Sequence, residues 1–501
     1  MKLAVLIIYF AILLGIGFYC RKHSTDVSGF VLGGRSVGPW LTAFAYGTSY
    51  FSAVIFVGYA GQFGWRYGLS ATWIGIGNAI IGSLLAWILL GRRTRIMTQH
   101  LDSSTMPEFF GCRFDDPALK VFASVIIFVF MIPYTASLYN GLSRLFGMAF
   151  NMDYSVCIII MAVLTAIYVI AGGYMATAIN DFIQGIIMLF GIVTVIIAVL
   201  KTQGGLMEAV NKMSLISDPA MGVQQGDFAS VWGPDLVGLT FVVLLTSLGT
   251  WGLPQMVQKF YAIRDEKAIL KGTVVSTVFA LIVAGGCYFL GGFGRLFDSP
   301  ALYNADGKII YDAIIPEMLS TLSPIIIGLV VILVLSASMS TLSSLVITSS
   351  STLTIDFLKD NFIKNMSEKK QVRCIRVFIV VFIAISATIA LIQYSSSVTF
   401  IAQLMGISWG AMAGSFLAPF LYSLYGKWVS PASCWVCFIF GTVIMIANML
   451  LRPYFPAIFQ SPINCGVLAM VAGFIIVPLV SAFTQKPDTK RTDEIFACYN
   501  K

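Results

Sequence analysis

Hydroxyl side chains are concentrated in one apolar segment of this chain. Residues 336–351 have the sequence SASMSTLSSLVITSSS, inside a long hydrophobic stretch that begins near Pro324. Helical i, i+3, i+4 and i+7 spacing puts four of its positions on one face, and a fifth position borders that face. These five positions are Ala337, Ser340, Thr341, Ser343 and Ser344.

This face is suited to binding a small cation. Hard cations such as Na⁺ take oxygen ligands, and a hydroxyl supplies a lone pair without bringing a charge into the membrane. The small side chain of Ala337 leaves its own carbonyl oxygen uncovered. For any single hydroxyl the alternative is structural, because serine and threonine also bond their own backbone or permit close helix packing. Since several hydroxyls share one face, we predict a sodium site.

One acidic residue accompanies this face in the sequence. Asp181 lies among polar residues in GGYMATAINDFIQG (172–185), near the predicted start of a span. An acid within or beside a membrane span is a functional residue by default. Asn180 and Asp181 are equally suited to capping the helix that would begin there. Position alone leaves both interpretations open.

The elements that position these residues are membrane-spanning helices. Of the 501 residues, 58% are hydrophobic and 11% are charged, whereas a soluble domain carries about 25% charged residues. Repeated apolar runs of about 20 residues are long enough to cross a hydrocarbon core of ~30 Å. We therefore predict an all-α polytopic membrane protein with about thirteen transmembrane helices. The predicted spans are 3–20, 38–60, 69–91, 119–143, 155–171, 179–200, 234–254, 272–292, 323–349, 374–393, 398–423, 431–451 and 463–484.

The basic residues indicate an orientation. Most of the 31 Lys and Arg residues, Lys259 among them, fall in predicted loops on one face of the membrane. Because loops rich in Lys and Arg stay cytoplasmic, we predict a multi-pass plasma-membrane protein with its N-terminus outside and its C-terminus in the cytoplasm. The same bias accounts for the net charge of +8 without nucleic-acid binding.

Two predicted spans are interrupted. The second contains AFAYGTSYFSAVIFVGYAG (43–61), and the seventh ends in SLGTWGLP (247–254). A broken helix is tolerated in a membrane where it lines a polar cavity, and a matching pair of broken helices indicates an inverted-repeat transporter. Glycine also serves ordinary helix packing, but two interruptions five spans apart favour the transporter. Carbonyls near Thr48 and Phe51 would then complete the cation site.

Other kinds of chemistry are not indicated. Cys434 and Cys437 form a C-x-x-C pair without a second pair or a nearby histidine, so we interpret them as packing residues and not metal ligands. The first segment lacks a small-x-small cleavage site, so we predict a retained helix instead of a signal peptide. The chain is predicted not to be an enzyme, and to use neither a transition metal nor an organic cofactor.

At these residues the sequence resembles the sodium/solute symporter family. The resemblance rests on GGRSVGPWLTAFAYGTSYFSA (33–53), STMPEFFGCRF (104–114), the segment around Asp181 and SASMSTLSS (336–344), and it is nearest to the proline-permease branch. It implies a LeuT-type core of two inverted five-helix repeats. The single transporter domain, 1–501, would comprise a leading helix 3–20, repeats 38–200 and 234–423, two trailing helices 431–484 and a cytoplasmic tail 485–501.

The resemblance also implies ligands for sodium. The main site would use the backbone oxygens of Thr48, Phe51 and Ala337 with the hydroxyls of Ser340 and Thr341. A second site, as in the sialic acid branch, would involve Asp181, Ser340, Thr341, Ser343 and Ser344.

The substrate pocket departs from the relatives. Proline-type members have an aspartate where this chain has Tyr50 and a tryptophan where it has Val54. Sugar-type members have an acid and polar groups in the third span where this chain has Gly75 and Asn78. What remains is an aromatic and amide lining without a fixed countercharge. The predicted cavity residues are Tyr46, Tyr50, Trp73, Asn78, Asn140, Thr250, Trp251 and Gln403, followed by Phe51, Gln62, Tyr134, Gln255, Ser408 and Trp409.

These inferences predict sodium-coupled secondary active import of a small organic solute, an amino acid or small carboxylate, by alternating access. We expect a monomer in the lipid bilayer. At ~100 mV each translocated charge contributes about 2.3 kcal/mol, so one sodium ion supports roughly 40-fold accumulation of a zwitterion and two support more than ~1,000-fold. Proton coupling on the same fold and a non-transporting solute sensor are the alternatives.

Overall fold

The computed structural model describes residues 2–150, 152–363, 365–396 and 401–500. Within these ranges every regular element is a helix, and β-structure is limited to isolated bridges. The α-helices are Lys2–Cys20, Val27–Leu32, Pro39–Ser49, Ala60–Tyr67, Thr72–Gly77, Arg92–His100, Met106–Phe114, Pro117–Phe150, Tyr154–Thr202, Leu206–Ser214, Leu236–Ser247, Pro254–Tyr261, Glu266–Gly291, Ile314–Ser320, Pro324–Thr352, Lys359–Asn361, Glu368–Ser396, Ile401–Tyr425, Pro431–Leu451, Pro462–Phe483 and Thr489–Phe496.

Nine helices in the described part of the chain are long and apolar enough to cross a membrane, or ten if one bent pair is a single span. Two of them, Val54–His100 and Tyr154–Thr202, have 47 and 49 residues, about twice the roughly 20 residues that a crossing needs. Each is interrupted by a glycine at positive φ, Gly68 at 62° and Gly173 at 57°. Each continuous helical stretch therefore contains parts of two predicted spans, one before and one after its glycine. The thirteen-span count stays a prediction, and residues 398–400 of the eleventh span lie outside the described residues.

The second span is interrupted at Tyr50–Ser52. Its first segment, Pro39–Ser49, begins with a proline at the first helical turn, where the missing N–H costs nothing. The chain becomes helical again at Ala53, passes through a π-helical stretch over Val54–Tyr59 and continues to Tyr67. The predicted interruption is therefore present, and this span ends seven residues beyond its predicted end at position 60.

The seventh span is broken as well. Leu236–Ser247 leads into a 3₁₀ turn over Gly249–Gly252, and a further helix runs from Pro254 to Tyr261 at 46° to the first. The predicted boundary at 254 was wrong, because Pro254 starts a helical segment instead of ending one. Proline fits that position since the first helical N–H has no intrahelical partner. We call Pro254–Tyr261 the terminal segment of the seventh span.

The helix Pro324–Thr352, which we call the hydroxyl helix, is the centre of the bundle. From Val330 to Thr352 nearly every residue is buried, and the helix packs on Tyr154–Thr202, Pro117–Phe150 and the first segment of the second span. A polar helix surrounded by protein on all sides does not have to expose its hydroxyls to lipid.

The ends of the bundle are covered by short elements. Between the sixth and seventh spans lies the helix Leu206–Ser214, and before the hydroxyl helix lies Ile314–Ser320. The tail forms a helix, Thr489–Phe496, whose Ile495 and Phe496 are buried. The Arg491 guanidinium contacts the carbonyl of Cys112 at 2.9 Å, so the tail is fixed to the bundle.

Candidate functional site

The interruption of the second span frees backbone carbonyls at the centre of the protein. After Ser49 the N–H groups of Tyr50 and Phe51 make short-range bonds to Gly47 and Thr48 carbonyls, 3.1 Å each. The N–H of Ala53, where the helix begins again, donates to the Ser338 hydroxyl at 3.0 Å. This hydroxyl caps the second segment, a role that the face analysis did not assign to Ser338.

Five oxygens of the predicted main sodium site come together at this point. Ser340 Oγ lies 3.2 Å from the Thr48 carbonyl and 3.0 Å from the Ala337 carbonyl. Thr341 Oγ1 lies 3.2 Å from both the Phe51 and the Ala337 carbonyls. All five residues are at most 1% exposed. The result is a buried cluster of uncharged oxygens between two helices, which is the donor set that a hard monovalent cation requires.

Asp181 is not at a helix end. It lies eight residues beyond the Gly173 kink, inside the helix Tyr154–Thr202, and is fully buried. The capping interpretation of Asn180 and Asp181 was therefore wrong, because the helix begins before them. Neither carboxylate oxygen of Asp181 accepts a hydrogen bond from the described residues. A buried acid without hydrogen bonds is costly to keep ionised unless a cation lies nearby.

The cation beside Asp181 is a lysine that the sequence had assigned to a cytoplasmic loop. Lys259 belongs to the terminal segment of the seventh span and its side chain is 2% exposed. Its Nζ lies 3.8 Å from Asp181 Oδ2 and 2.8 Å from Ser344 Oγ. The loop assignment was wrong because a helical segment continues from Pro254 to Tyr261. In so short a segment, hydropathy and the number of charged residues do not distinguish a helix from a loop.

The predicted ligands of the second sodium site make hydrogen bonds to different partners and do not point to one common position. Ser340 and Thr341 direct their hydroxyls to the main site. Ser343 Oγ donates to the Ser340 carbonyl of its own helix at 2.9 Å. Ser344 Oγ lies 3.1 Å from the same carbonyl and accepts from Lys259. Asp181 and Ser344 are thus joined by the ammonium.

Three of the predicted cavity residues form a compact polar cluster. Tyr50 Oη lies 2.6 Å from Thr250 Oγ1 and 3.1 Å from the Thr246 carbonyl. The Asn78 amide contacts the Ser247 hydroxyl at 2.9 Å. Because Tyr50 and Thr250 lie in the two interruptions, the cluster joins both broken spans at one depth.

Two more predicted residues adjoin this cluster. Tyr46 Oη donates to the Gly82 carbonyl at 2.8 Å, and Trp251 Nε1 donates to the Ile81 carbonyl at 3.0 Å. Both rings therefore rest against the same turn of the third span, where a Cβ on Gly82 would lie 1.8 Å from Tyr50 Oη. Glycine at 82 makes room for the Tyr50 phenol.

Three more of the predicted cavity residues, Trp73, Asn140 and Gln403, have no hydrogen bond to this cluster among the contacts of the described residues. Trp73 is 38% exposed, donates to the Val231 carbonyl at 2.9 Å and stacks on Trp232, so its place in the substrate cavity stays a prediction. Asn140 bonds Gln393 at 2.8 Å and accepts from the Tyr154 hydroxyl, on other helices than the cluster. Gln403 is half-buried. Helical periodicity does not distinguish an aromatic facing the membrane surface from one facing the interior.

Several buried polar atoms near the broken spans lack a hydrogen-bond partner among the described residues. They include Ser52 Oγ, Thr48 Oγ1, Gln255 Oε1 and Trp409 Nε1. Buried polar groups are nearly always satisfied by protein, water or ligand. Ser52 was missing from the sequence-based set, although its position within the interruption was a usable signal. Water or a polar solute would satisfy such atoms.

Comparison with known proteins bears on this arrangement. Residues 30–441 match the model of the sodium:solute symporter family. An osmoregulated proline transporter of Bacillus subtilis is 28% identical over 99% of this chain and 97% of its own length. A sodium/proline symporter of Staphylococcus saprophyticus is 30% identical over 98% of this chain and 94% of its own. A Na⁺-coupled sialic acid symporter, solved in a substrate-bound outward-open state, has the same fold, with a TM-score of 0.78 at 19% identity over 97% of this chain and 98% of that chain.

Proposed function

Because this chain belongs to the sodium:solute symporter family, we propose that it imports an amino acid or small carboxylate together with sodium bound at the main site. The chain is a transporter and not an enzyme, and its coupling to sodium follows from the family. What the proposal adds is the position of the ion and the class of the solute.

The observation that carries the proposal is the cluster of oxygens around Ala337. Ser340 and Thr341 hydroxyls lie within 3.2 Å of carbonyls from the interrupted second span. A sodium ion there would join two helices that otherwise meet through a few hydrogen bonds. Since broken-helix carbonyls and helix hydroxyls change their spacing when the helices move apart, ion affinity would depend on conformation.

The solute would occupy the space beside Tyr50 and Thr250. The similar proteins of known name transport proline, which supports an amino acid as substrate here. Tyr50 and Thr250 offer neutral hydrogen-bonding groups, and the helical segments that begin at Ala53 and Pro254 have positive dipole ends that favour a carboxylate. A zwitterion or a small carboxylate matches this combination better than a sugar, which lacks a charge.

The cycle would proceed by alternating access. Sodium enters from outside, fixes the hydroxyl helix against the second span and so organises the solute pocket, and both ligands leave on the cytoplasmic side where sodium is low. This direction requires the N-terminus outside and the C-terminal helix Thr489–Phe496 in the cytoplasm, as the distribution of Lys and Arg favours. The protein would act as a monomer in the plasma membrane.

The test is the thermal stability of the purified protein in NaCl and in choline chloride, with proline, other amino acids, carboxylates, vitamins and sugars as additives. We expect a sodium-specific rise in melting temperature that increases further with an amino acid or small carboxylate, because ligands of the folded state stabilise it. Uptake of the same solute into proteoliposomes, driven by an inward sodium gradient, would follow.

Other outcomes would contradict the proposal. A shift with pH and none with sodium would indicate proton coupling. Solute binding without sodium-driven uptake would indicate a sensor. A shift with sugars alone would overturn the solute class and leave the sodium site intact.

A further inference from the structure

A buried ammonium group lies where a second cation was predicted. Lys259 Nζ is 2.8 Å from Ser344 Oγ and 3.8 Å from Asp181 Oδ2, and the side chains of Lys259 and Asp181 are 2% and 0% exposed. Nζ also lies 5.1 Å from the centroid of the Tyr174 ring, which attracts cations through its face. The acid and one hydroxyl of the predicted second sodium site are thus in contact with a positive charge from the chain itself.

The ammonium satisfies the same electrostatic requirement as a bound ion. A carboxylate enclosed in a membrane protein needs a cation nearby, since desolvation without compensation disfavours its charge strongly. A sodium ion coordinated by both Asp181 and Ser344 would lie beside the ammonium, with like charges close together in a medium of low dielectric. The two cations therefore exclude each other.

Resting on the proposed sodium-coupled import, we propose that Lys259 is a tethered cation that replaces a second sodium ion, so that one sodium ion moves per transport cycle. The lysine is covalently held, so it neutralises Asp181 without dissociating into either compartment. At ~100 mV this stoichiometry limits the voltage-driven accumulation of a zwitterion to roughly 40-fold.

A short chain of contacts also connects the ammonium to the residues of the main site. Ser344 Oγ, which accepts from Lys259, is 3.1 Å from the carbonyl of Ser340 and 3.3 Å from Ser49 Oγ. Lys259 therefore connects the terminal segment of the seventh span to the hydroxyl helix and to the second span, one helical turn from the main site. A different role for the same contacts is a gate, in which the Lys259–Asp181 pair breaks and forms again without any effect on ion number.

Equilibrium binding of ²²Na⁺ to the purified full chain, with choline as the balancing cation, separates these roles. We expect one saturable sodium ion per wild-type chain and two in Lys259→Met, with a Hill coefficient approaching about 2 if the sites are coupled. Lys259→Met/Asp181→Asn should return to one ion, because the carboxylate is then gone. Lys259→Arg should keep one ion, and Lys271→Met, which alters an exposed lysine, should behave as wild type.

Each outcome decides the proposal. Two ions in the wild type would overturn the tethered cation while supporting sodium coupling. No sodium binding in the wild type would overturn the proposed function itself and the tethered cation with it. One ion in Lys259→Met, with altered exchange kinetics only, would indicate the gate. If Lys259→Met does not fold, the counts in wild type and in Lys259→Arg decide, and restoration of its folding by high NaCl but not by choline chloride would support the proposal.

Discussion

Tyr50 Oη lies 2.6 Å from Thr250 Oγ1, so a single contact joins the interruption of the second span to that of the seventh. Tyr50 Oη is also 3.1 Å from the Thr246 carbonyl and 3.2 Å from the Ser247 carbonyl. The single phenolic proton is donated to one of these three oxygens at a time, and the Ser247 carbonyl also accepts from the Thr250 hydroxyl at 2.7 Å. Any solute that binds here competes with, or completes, this set of hydrogen bonds.

Removal of the phenol should weaken solute binding. In Tyr50→Phe we expect roughly fivefold lower affinity for the solute that stabilises the wild type, because one hydrogen bond of about 1 kcal/mol is lost. This affinity is obtained from the melting temperature, measured at increasing solute concentration and saturating NaCl. Tyr46→Phe, which removes a phenol bonded to the Gly82 carbonyl, is the matched control. Equal losses in both variants would show that the Tyr50 contact has no special role.

The sodium requirement should depend on two hydroxyls. Ser340→Ala and Thr341→Ala are each expected to raise the sodium concentration for half-maximal stabilisation about tenfold or more, since each removes one oxygen worth roughly 1–2 kcal/mol. Ser351→Ala is the control on the same helix, because within the described ranges its hydroxyl donates to the Thr348 carbonyl of that helix at 3.1 Å and to no group of another span. Unchanged sodium dependence in Ser340→Ala and Thr341→Ala would place the ion elsewhere.

The space that Gly82 leaves for Tyr50 can be tested directly. A Cβ at position 82 would lie 1.8 Å from Tyr50 Oη and 2.7 Å from its Cζ, so Gly82→Ala should displace the ring and abolish the solute-dependent thermal shift. Gly15→Ala, in the first helix with no atom within 4 Å of the new Cβ, should be neutral. In Gly82→Ala/Tyr50→Ala the two effects should not add, because either change alone removes the contact. Additive losses would contradict this.

Two arginines, Arg295 and Arg66, should differ in their contribution to stability. Arg295 donates to the Trp65 carbonyl at 2.7 Å and to Asp218 at 3.0 Å, with 8% of its side chain exposed. Burial lowers the pKa of its guanidinium, yet arginine stays charged. Arg295→Met should lower the free energy of unfolding by about 3 kcal/mol, since it leaves the Asp218 carboxylate and the Trp65 carbonyl without this partner. Arg66 forms an ion pair with Asp235, and the side chains of the two residues are 47% and 33% exposed. Arg66→Met removes this pair and should lower the free energy of unfolding by less than about 1 kcal/mol. Thermal unfolding compares them, and equal costs would refute the distinction.

Much of the fold followed from composition and periodicity. Apolar runs of the required length, and two interruptions five spans apart, predicted a polytopic bundle with broken helices, and the family comparison confirmed the class. The five residues of the proposed main sodium site could be predicted because one helix face repeats every three or four positions, and because a break exposes carbonyls at a known place. Local geometry sets both features.

The neighbours of these residues required the tertiary structure. Lys259 was assigned to a loop because hydropathy falls where the seventh span bends at Pro254, although the helix continues and turns its lysine inward. A capping role for Asp181 stayed open because the kink at Gly173 leaves no signal distinct from an ordinary packing glycine. The partners of Trp73, the Val231 carbonyl and the Trp232 ring, were likewise visible only in the structure.

The sequence by itself therefore determined which helix carries the hydroxyls, which spans break and to which family the chain belongs. Only the tertiary structure decided that Lys259, 78 residues after Asp181 in the numbering, supplies the charge that this acid needs. The physical reason is that periodicity fixes the faces of each helix separately, whereas the pairing of faces depends on how the whole bundle packs. A buried ion pair is the product of that packing, and its two members carry no local sign of each other.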